Sequence, residues 1–126
     1  MKKEVIPSGS RQKPWPRAVK AGNHIYVAAA AFDEEGKSVS AQFEEQLDFI
    51  FSDMKKTLED LGSSMDEIVE MTIYMVDLER DNPKIPKIWA KYIKSMPMVA
   101  SIGTTQLMPV DPPLLVEVTA TAIVSD

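Results

Sequence analysis

The chain has 126 residues, 44% of them hydrophobic and 26% charged, which is the balance of one soluble globular domain long enough to bury its own core. A net charge of -5 with no concentrated Lys/Arg stripe argues against nucleic acid as a partner, and no apolar run is long enough to cross a membrane. Cysteine is absent, which excludes disulfides and thiolate chemistry; with no signal-peptide core behind Lys2 and Lys3, a cytoplasmic location is expected.

Residues 1–16 carry Pro7, Gly9, Pro14 and Pro16 with Ser8 and Ser10 between them, which predicts extended or looped chain and no helix. Trp15 stands between two prolines that fix the backbone on both sides of its ring. Residues 17–21 read as a short strand closed by Gly22-Asn23, since that pair supplies the positive φ of a tight hairpin. Residues 24–32 are the returning strand: the four alanines favour helix by propensity, but Ile25-Tyr26-Val27 and the hairpin favour strand. His24 is the single histidine. Beside a turn and without clustered Asp or Glu partners, it predicts a solvated edge residue and no metal site. Residues 33–37 form a polar loop without the ligand ladder of a calcium site.

From about residue 41 to 61, Phe43, Leu47, Ile50, Phe51, Met54, Leu58 and Leu61 recur at three- and four-residue spacing, the apolar face of a helix. Glu45, Asp48, Asp53, Lys56 and Asp60 lie opposite as a solvated face. Ser38 or Ser40 suits the N-terminal cap and Gly62 the C-terminal one. Residues 68–78 alternate Met71, Ile73 and Met75 against Thr72, Tyr74 and Val76, so they predict a strand with two different faces. Residues 80–83 (Arg-Asp-Asn-Pro) break the chain. A shorter helix follows over about 84–94, burying Ile85, Ile88, Trp89, Tyr92 and Ile93 and holding Pro86 in its first turn. Residues 97–107 and 114–121 are rich in β-branched side chains and flank a proline-rich connection, which predicts two strands joined by a rigid loop. The eight methionines fall at core positions and read as packing.

Strand pair, long helix, strand, helix, strand pair gives a single α+β domain over 1–126, with two helices on one face of a mostly antiparallel sheet. No phosphate loop, nucleotide fingerprint or nucleophile motif is present, so no cofactor is expected.

The strand opened by Pro97, the Leu107-Met108-Pro109 break and the closing run Val116-Glu117-Val118-Thr119-Ala120-Thr121-Ala122 resemble the end of a RidA (YjgF, endoribonuclease L-PSP) domain. Gly62, Asp66, Ile68-Val69, Thr72 and Asp77-Leu78 continue that resemblance, which covers most of residues 14–124. It implies a chorismate-mutase-like fold, a barrel-like homotrimer with clefts between neighbouring subunits, and hydrolysis of reactive enamines and imines derived from amino acids. In deaminating members an Arg follows the opening Pro by two residues and grips the substrate carboxylate; Val99 stands there in this chain. A Glu associated with the catalytic water aligns with Thr119, a Ser-Gly-Gln run with Ala28, Ala29 and Ala30, and an Asn with the neighbourhood of Pro86. Trp15 corresponds to an aromatic residue lining the cleft; read from its residues alone, it covers the edge of the core.

Paired guanidinium donors match the two oxygens of a carboxylate, whereas an anion against Val99 would lose hydration without a replacement partner. Thr119 hydrogen-bonds but is no effective base at neutral pH. The resemblance therefore implies a cleft lined by Trp15, Arg17, Ala29, Val99, Ser101, Glu117 and Thr119, with no catalytic residue assigned and a less anionic small molecule as ligand. Arg17 is a candidate for a displaced guanidinium. Glu117 and Thr119 are two apart on one strand and share a face; Glu117 also reads as an ordinary solvated carboxylate. The alternative is a non-catalytic trimer that senses a metabolite or binds a protein.

Overall fold

The computed structural model of the chain describes residues 2–7 and 16–124. Alternating side chains and β-branched runs set the strands: β1 (Lys3–Ile6), β2 (Ala18–Ala21), β3 (His24–Ala30), β4 (Ile68–Met75), β5 (Met98–Gly103) and β6 (Val116–Ile123). They form one six-stranded sheet in the order β1-β2-β3-β6-β4-β5. Every pairing is antiparallel except β4 with β5, which is parallel. The β2–β3 hairpin turns at Gly22, whose φ of 62° suits the residue without a Cβ. The extended chain expected near the N-terminus includes β1, an edge strand that ends before Pro7.

One helix-spaced apolar stripe builds most of the core. Helix α1 (Phe43–Asp60) lays Phe43, Leu47, Ile50, Phe51, Met54 and Leu58 against Ile25, Val27, Val116, Val118 and Ala120 of the central strands. Its C-terminus follows expectation: Gly62 has φ 83°, its N–H donates to Glu59 O at 3.2 Å, and the Ser63 N–H donates to Leu58 O at 2.8 Å. Its N-terminus differs. Gln42 is the capping residue and makes no side-chain cap, while Ser40 acts just upstream, accepting from the Gln42 N–H at 3.0 Å and donating to Glu45 at 2.9 Å. Gln46 is fully buried on α1. Its Nε2 donates to Ser40 O (2.8 Å) and Pro113 O (3.0 Å), and its Oε1 accepts from the Leu115 N–H (2.8 Å), so it ties the proline-rich connection to the helix.

The second helical region starts earlier and breaks sooner than its apolar spacing predicts. Helix α2 (Leu78–Asp81) is capped by Asp77, which accepts from the Arg80 N–H at 3.1 Å. A 3-10 turn (Asn82–Lys84) leads into α3 (Ile85–Trp89), and irregular turns carry the chain on to Ile93. Pro83 and Pro86 each sit in the first turn of a segment, where a missing N–H costs nothing, so neither stops the chain from winding. Ile85, Ile88, Trp89 and Ile93 are buried as expected, with Tyr92 half-buried.

The helices cover one face of the sheet and leave the other open. Among the described residues, the open face carries Val5, Tyr26, Val69, Met98, Ile102 and Ile123, all large apolar side chains that remain exposed. The irregular register between Ile68 and Glu70 in β4 is a bulge, and it turns both Val69 and Glu70 toward this side.

Candidate functional site

Paired residues on neighbouring strands share a face of the sheet. Val99 pairs with Met71 and Ser101 with Ile73, so both β5 residues belong to the helix-covered side. Thr119 pairs with Ala28 on one flank and Thr72 on the other, and lies on the open side with Glu117 and Thr121. The candidate residues therefore divide between two depressions, one on each face.

The first is a pocket of about 320 Å³ between α3 and the β4–β5 edge. Ile73, Ile85, Pro86, Trp89, Met96 and Val99 make it largely apolar, while Asn82 and Ser101 are the polar residues of its lining among the described residues. Among the described residues, no charged side chain lines it. Phe51 meets the Trp89 ring edge to face at 5.9 Å and fixes its orientation from the core side. The indole Nε1 is buried with no hydrogen-bond partner among the described residues. A buried donor left unpaired is costly, and it marks a place where an acceptor is wanted.

The second is a shallow groove of about 410 Å³ across β2, β3, β6 and β4 on the open face. Pro16, Arg17, Val19, Tyr26, Ala28, Glu70, Thr119 and Thr121 border it. Arg17 Nη2 stands 4.0 Å from Asp60 Oδ2 at the end of α1, while its Nε is buried without a hydrogen-bond partner among the described residues. Glu70 Oε2 is likewise buried and unpartnered among the described residues.

The fold thus gathers Val99 with Ser101, and Arg17 with Thr119. Glu117 shares the open face but lies outside the groove lining. Ala29 is buried on the covered face against Val118, and its neighbour Ala28 is the alanine that faces the groove. Trp15 lies outside the described residues. Polar lining residues that the sequence reading does not mark include Asn82 and Glu70, with Tyr26 and Thr121 beside the latter. The run Ile68-Val69-Glu70-Met71 held a sign of the second, because inward apolar residues three apart break the two-residue period and demand a bulge.

A larger cleft, about 790 Å³, runs between α1 and α3 and is walled by Glu44, Glu45 and Asp48 on one side and Lys84, Lys87 and Lys91 on the other. Lys91 Nζ sits 3.6 Å from Asp48 Oδ1 and Lys84 Nζ 3.9 Å from Glu44 Oε1, so the walls largely answer each other. Among the described residues, no candidate site residue lines it. Among the described residues, no group of three or more His, Asp or Glu side chains is placed to hold a metal ion, and no helix is long and apolar enough to cross a membrane.

Comparison with known proteins agrees with this geometry. Residues 8–124 match the family described as endoribonuclease L-PSP. A RutC family protein of Pyrococcus abyssi is 32% identical over 113 residues, spanning 85% of this chain and 88% of the relative. The crystal structure of RidA from the Antarctic bacterium Psychrobacter sp. PAMC 21119 superposes with a TM-score of 0.82 at 21% identity, covering 96% of this chain and 99% of that one. Yeast Mmf1 does so with a TM-score of 0.83 at 20% identity, covering 98% and 100%. At such identities the structures establish the fold, and the extent of the family match establishes descent. The chain belongs to the endoribonuclease L-PSP family, the RidA (YjgF) family, and has its α+β fold.

Proposed function

We propose that this chain works as a cytoplasmic homotrimer whose clefts between neighbouring subunits bind a small molecule less anionic than an amino-acid imine, as a hydrolase of altered substrate. One observation carries the reading: Val99 and Ser101 lie on the covered face while Thr119 and Glu117 lie on the open face. One chain cannot bring those residues into a common cleft, and a second copy can. The exposed apolar row on the open face supports such packing, since side chains like Tyr26, Met98 and Ile102 gain from leaving water. Val99 and the uncharged pocket beside it give a carboxylate no cation, which supports a neutral ligand. The net charge of -5 argues against nucleic acid as the substrate.

A second reading keeps the clefts and removes the chemistry. Among the described residues, the pocket beside Val99 has no Asp, Glu, His, Lys or Tyr in its lining, so these residues supply it no general acid or base. A trimer that binds a metabolite and senses it, or that docks on a protein, would look the same. Sedimentation equilibrium together with ammonia release from 2-iminopropanoate tests the proposal. A mass three times the 14.0 kDa chain with ammonia release at background is the expected result. A monomer, or efficient release of ammonia, would overturn it.

A further inference from the structure

We infer that the cleft between α1 and α3 is a docking groove for a short amphipathic helix of a protein partner, with an apolar stripe, a basic flank turned to α1 and an acidic flank turned to α3. Three observations carry this. The walls are of opposite sign, with Glu44, Glu45 and Asp48 on α1 facing Lys84, Lys87 and Lys91. The floor between them is apolar, made by Val39, Phe49, Pro83 and Ile88. The charges also recur by helical turns. Glu44 and Asp48 are one turn apart on α1, and the three lysines follow one another by three and four residues. The Ala90 N–H to Pro86 O and the Lys91 N–H to Ile88 O keep the last lysine on the same winding as the others.

Pairing within the chain leaves a charge unanswered on each wall. Lys91 to Asp48 (3.6 Å) and Lys84 to Glu44 (3.9 Å) cross the cleft, with side chains 36% to 61% exposed. Ion pairs that long and that wet contribute little and part easily. Lys84 is held more closely by Asp81, at 3.0 Å, outside the cleft lining. Among the described residues, Lys87 has no ion-pair partner, and Glu45 meets the Ser40 hydroxyl at 2.9 Å but no cation. A partner helix answers both charges at once and lays its stripe on the floor in place of water. A helix with flanks of one sign would satisfy one wall and be repelled by the other. A small zwitterion supplies a single pair of charges and fills only part of a cleft of about 790 Å³. The helices lie opposite the open apolar face, so the groove stays free whether or not copies pack through that face.

The test uses the full chain labelled with 15N and three helical peptides, about 14 residues long, that share one leucine stripe. One carries Lys on one flank and Glu on the other, one Lys on both, and one Glu on both; 6-aminohexanoate is the small zwitterion. The two-sign peptide should bind at least about tenfold more tightly than either one-sign peptide, and move the amide resonances of residues 44–52 and 84–91 while leaving those of the open face in place. Lys87→Glu should weaken it by roughly 2- to 30-fold, as attraction becomes repulsion at one exposed pair, and strengthen the all-Lys peptide. Glu45→Lys should strengthen the all-Glu peptide. Both side chains are exposed, so neither change disturbs the core. An all-Lys peptide that binds the native chain as well as the two-sign peptide shows attraction to net charge alone and overturns the inference. So does 6-aminohexanoate binding as tightly as the peptide, which makes the cleft a small-molecule site. Failure of the two-sign peptide to bind, or shifts confined to the open face, overturns it equally.

Discussion

Val99 of β5 and Thr119 of β6 point to opposite faces of the same sheet, with β4 between their strands. Val99 faces the helices with Met71, and Thr119 faces away from them with Thr72. The two positions where the family resemblance expects an Arg and a Glu are thus separated by the thickness of the sheet. Chemistry that needs both has to draw on two chains.

Val99→Arg is expected to give the pocket the cation it lacks. Binding of a small carboxylate such as 2-oxobutanoate, followed by calorimetry, should strengthen by roughly 10-fold or more, as charged hydrogen bonds contribute about 1.5–3 kcal/mol. Affinity for neutral ligands should fall as the apolar wall is lost.

Gln46→Leu keeps the volume of a fully buried side chain but removes its three hydrogen bonds to Ser40, Pro113 and Leu115. Stability measured by denaturant unfolding should drop by about 2–4 kcal/mol, because the Leu115 N–H and two carbonyls are left without partners. The proline-rich connection should become more accessible to protease, while far-UV circular dichroism stays that of the native chain.

Asp81 links acidity to stability. Its carboxylate is fully buried, receives Arg80 Nε and Nη2 at 2.9 and 2.8 Å, and receives Lys84 Nζ at 3.0 Å. Burial pushes its pKa up, but the hydrogen bonds and charges of Arg80 and Lys84 outweigh that and hold it below 3.8. A depressed carboxylate stabilises the fold above its unfolded pKa, and this is lost as pH falls through the folded value. Denaturant midpoints from pH 7 down to pH 2 should show the loss below about pH 4, and Asp81→Asn should lessen it.

Tyr92 gives the opposite edge of the pH range. Desolvation first, and then the hydrogen bond from its hydroxyl to Asp48 Oδ1 at 2.9 Å, push its pKa up from 10.0 to about 12. Because the folded value is raised, its contribution is present below the ordinary value and is lost as pH rises through the folded one. Absorbance titration at about 295 nm should show one late-ionising tyrosine, absent in Tyr92→Phe.

Much of this architecture is legible in residue order, and the reasons for the gaps are physical. The α1 stripe and its Gly62 terminus repeat over several turns, so packing and local preference agree. Strand β3 is legible despite its alanines because the turn at Gly22 fixes the direction of the chain. Helices α2 and α3 are short, and their bounds depend on two prolines that sit harmlessly in first turns. Alternation shows that Glu117 and Thr119 share a face, yet it is silent on whether Val99 lies on that face or the other. That follows from β5 joining β4 in parallel, a crossover set by how α2 and α3 return the chain to the sheet edge. Ala29 matches the family pattern, whereas the register gives the groove to Ala28.

The proposed cleft between copies is tested most directly by linking its two halves. The chain has no cysteine, so Val99→Cys and Thr119→Cys can be introduced in separate populations, refolded together and treated with a short bis-maleimide. The account predicts a covalent product joining one chain of each kind, formed at dilute protein and suppressed by denaturant. Single chains alone, with both cysteines modified but never joined, would contradict it.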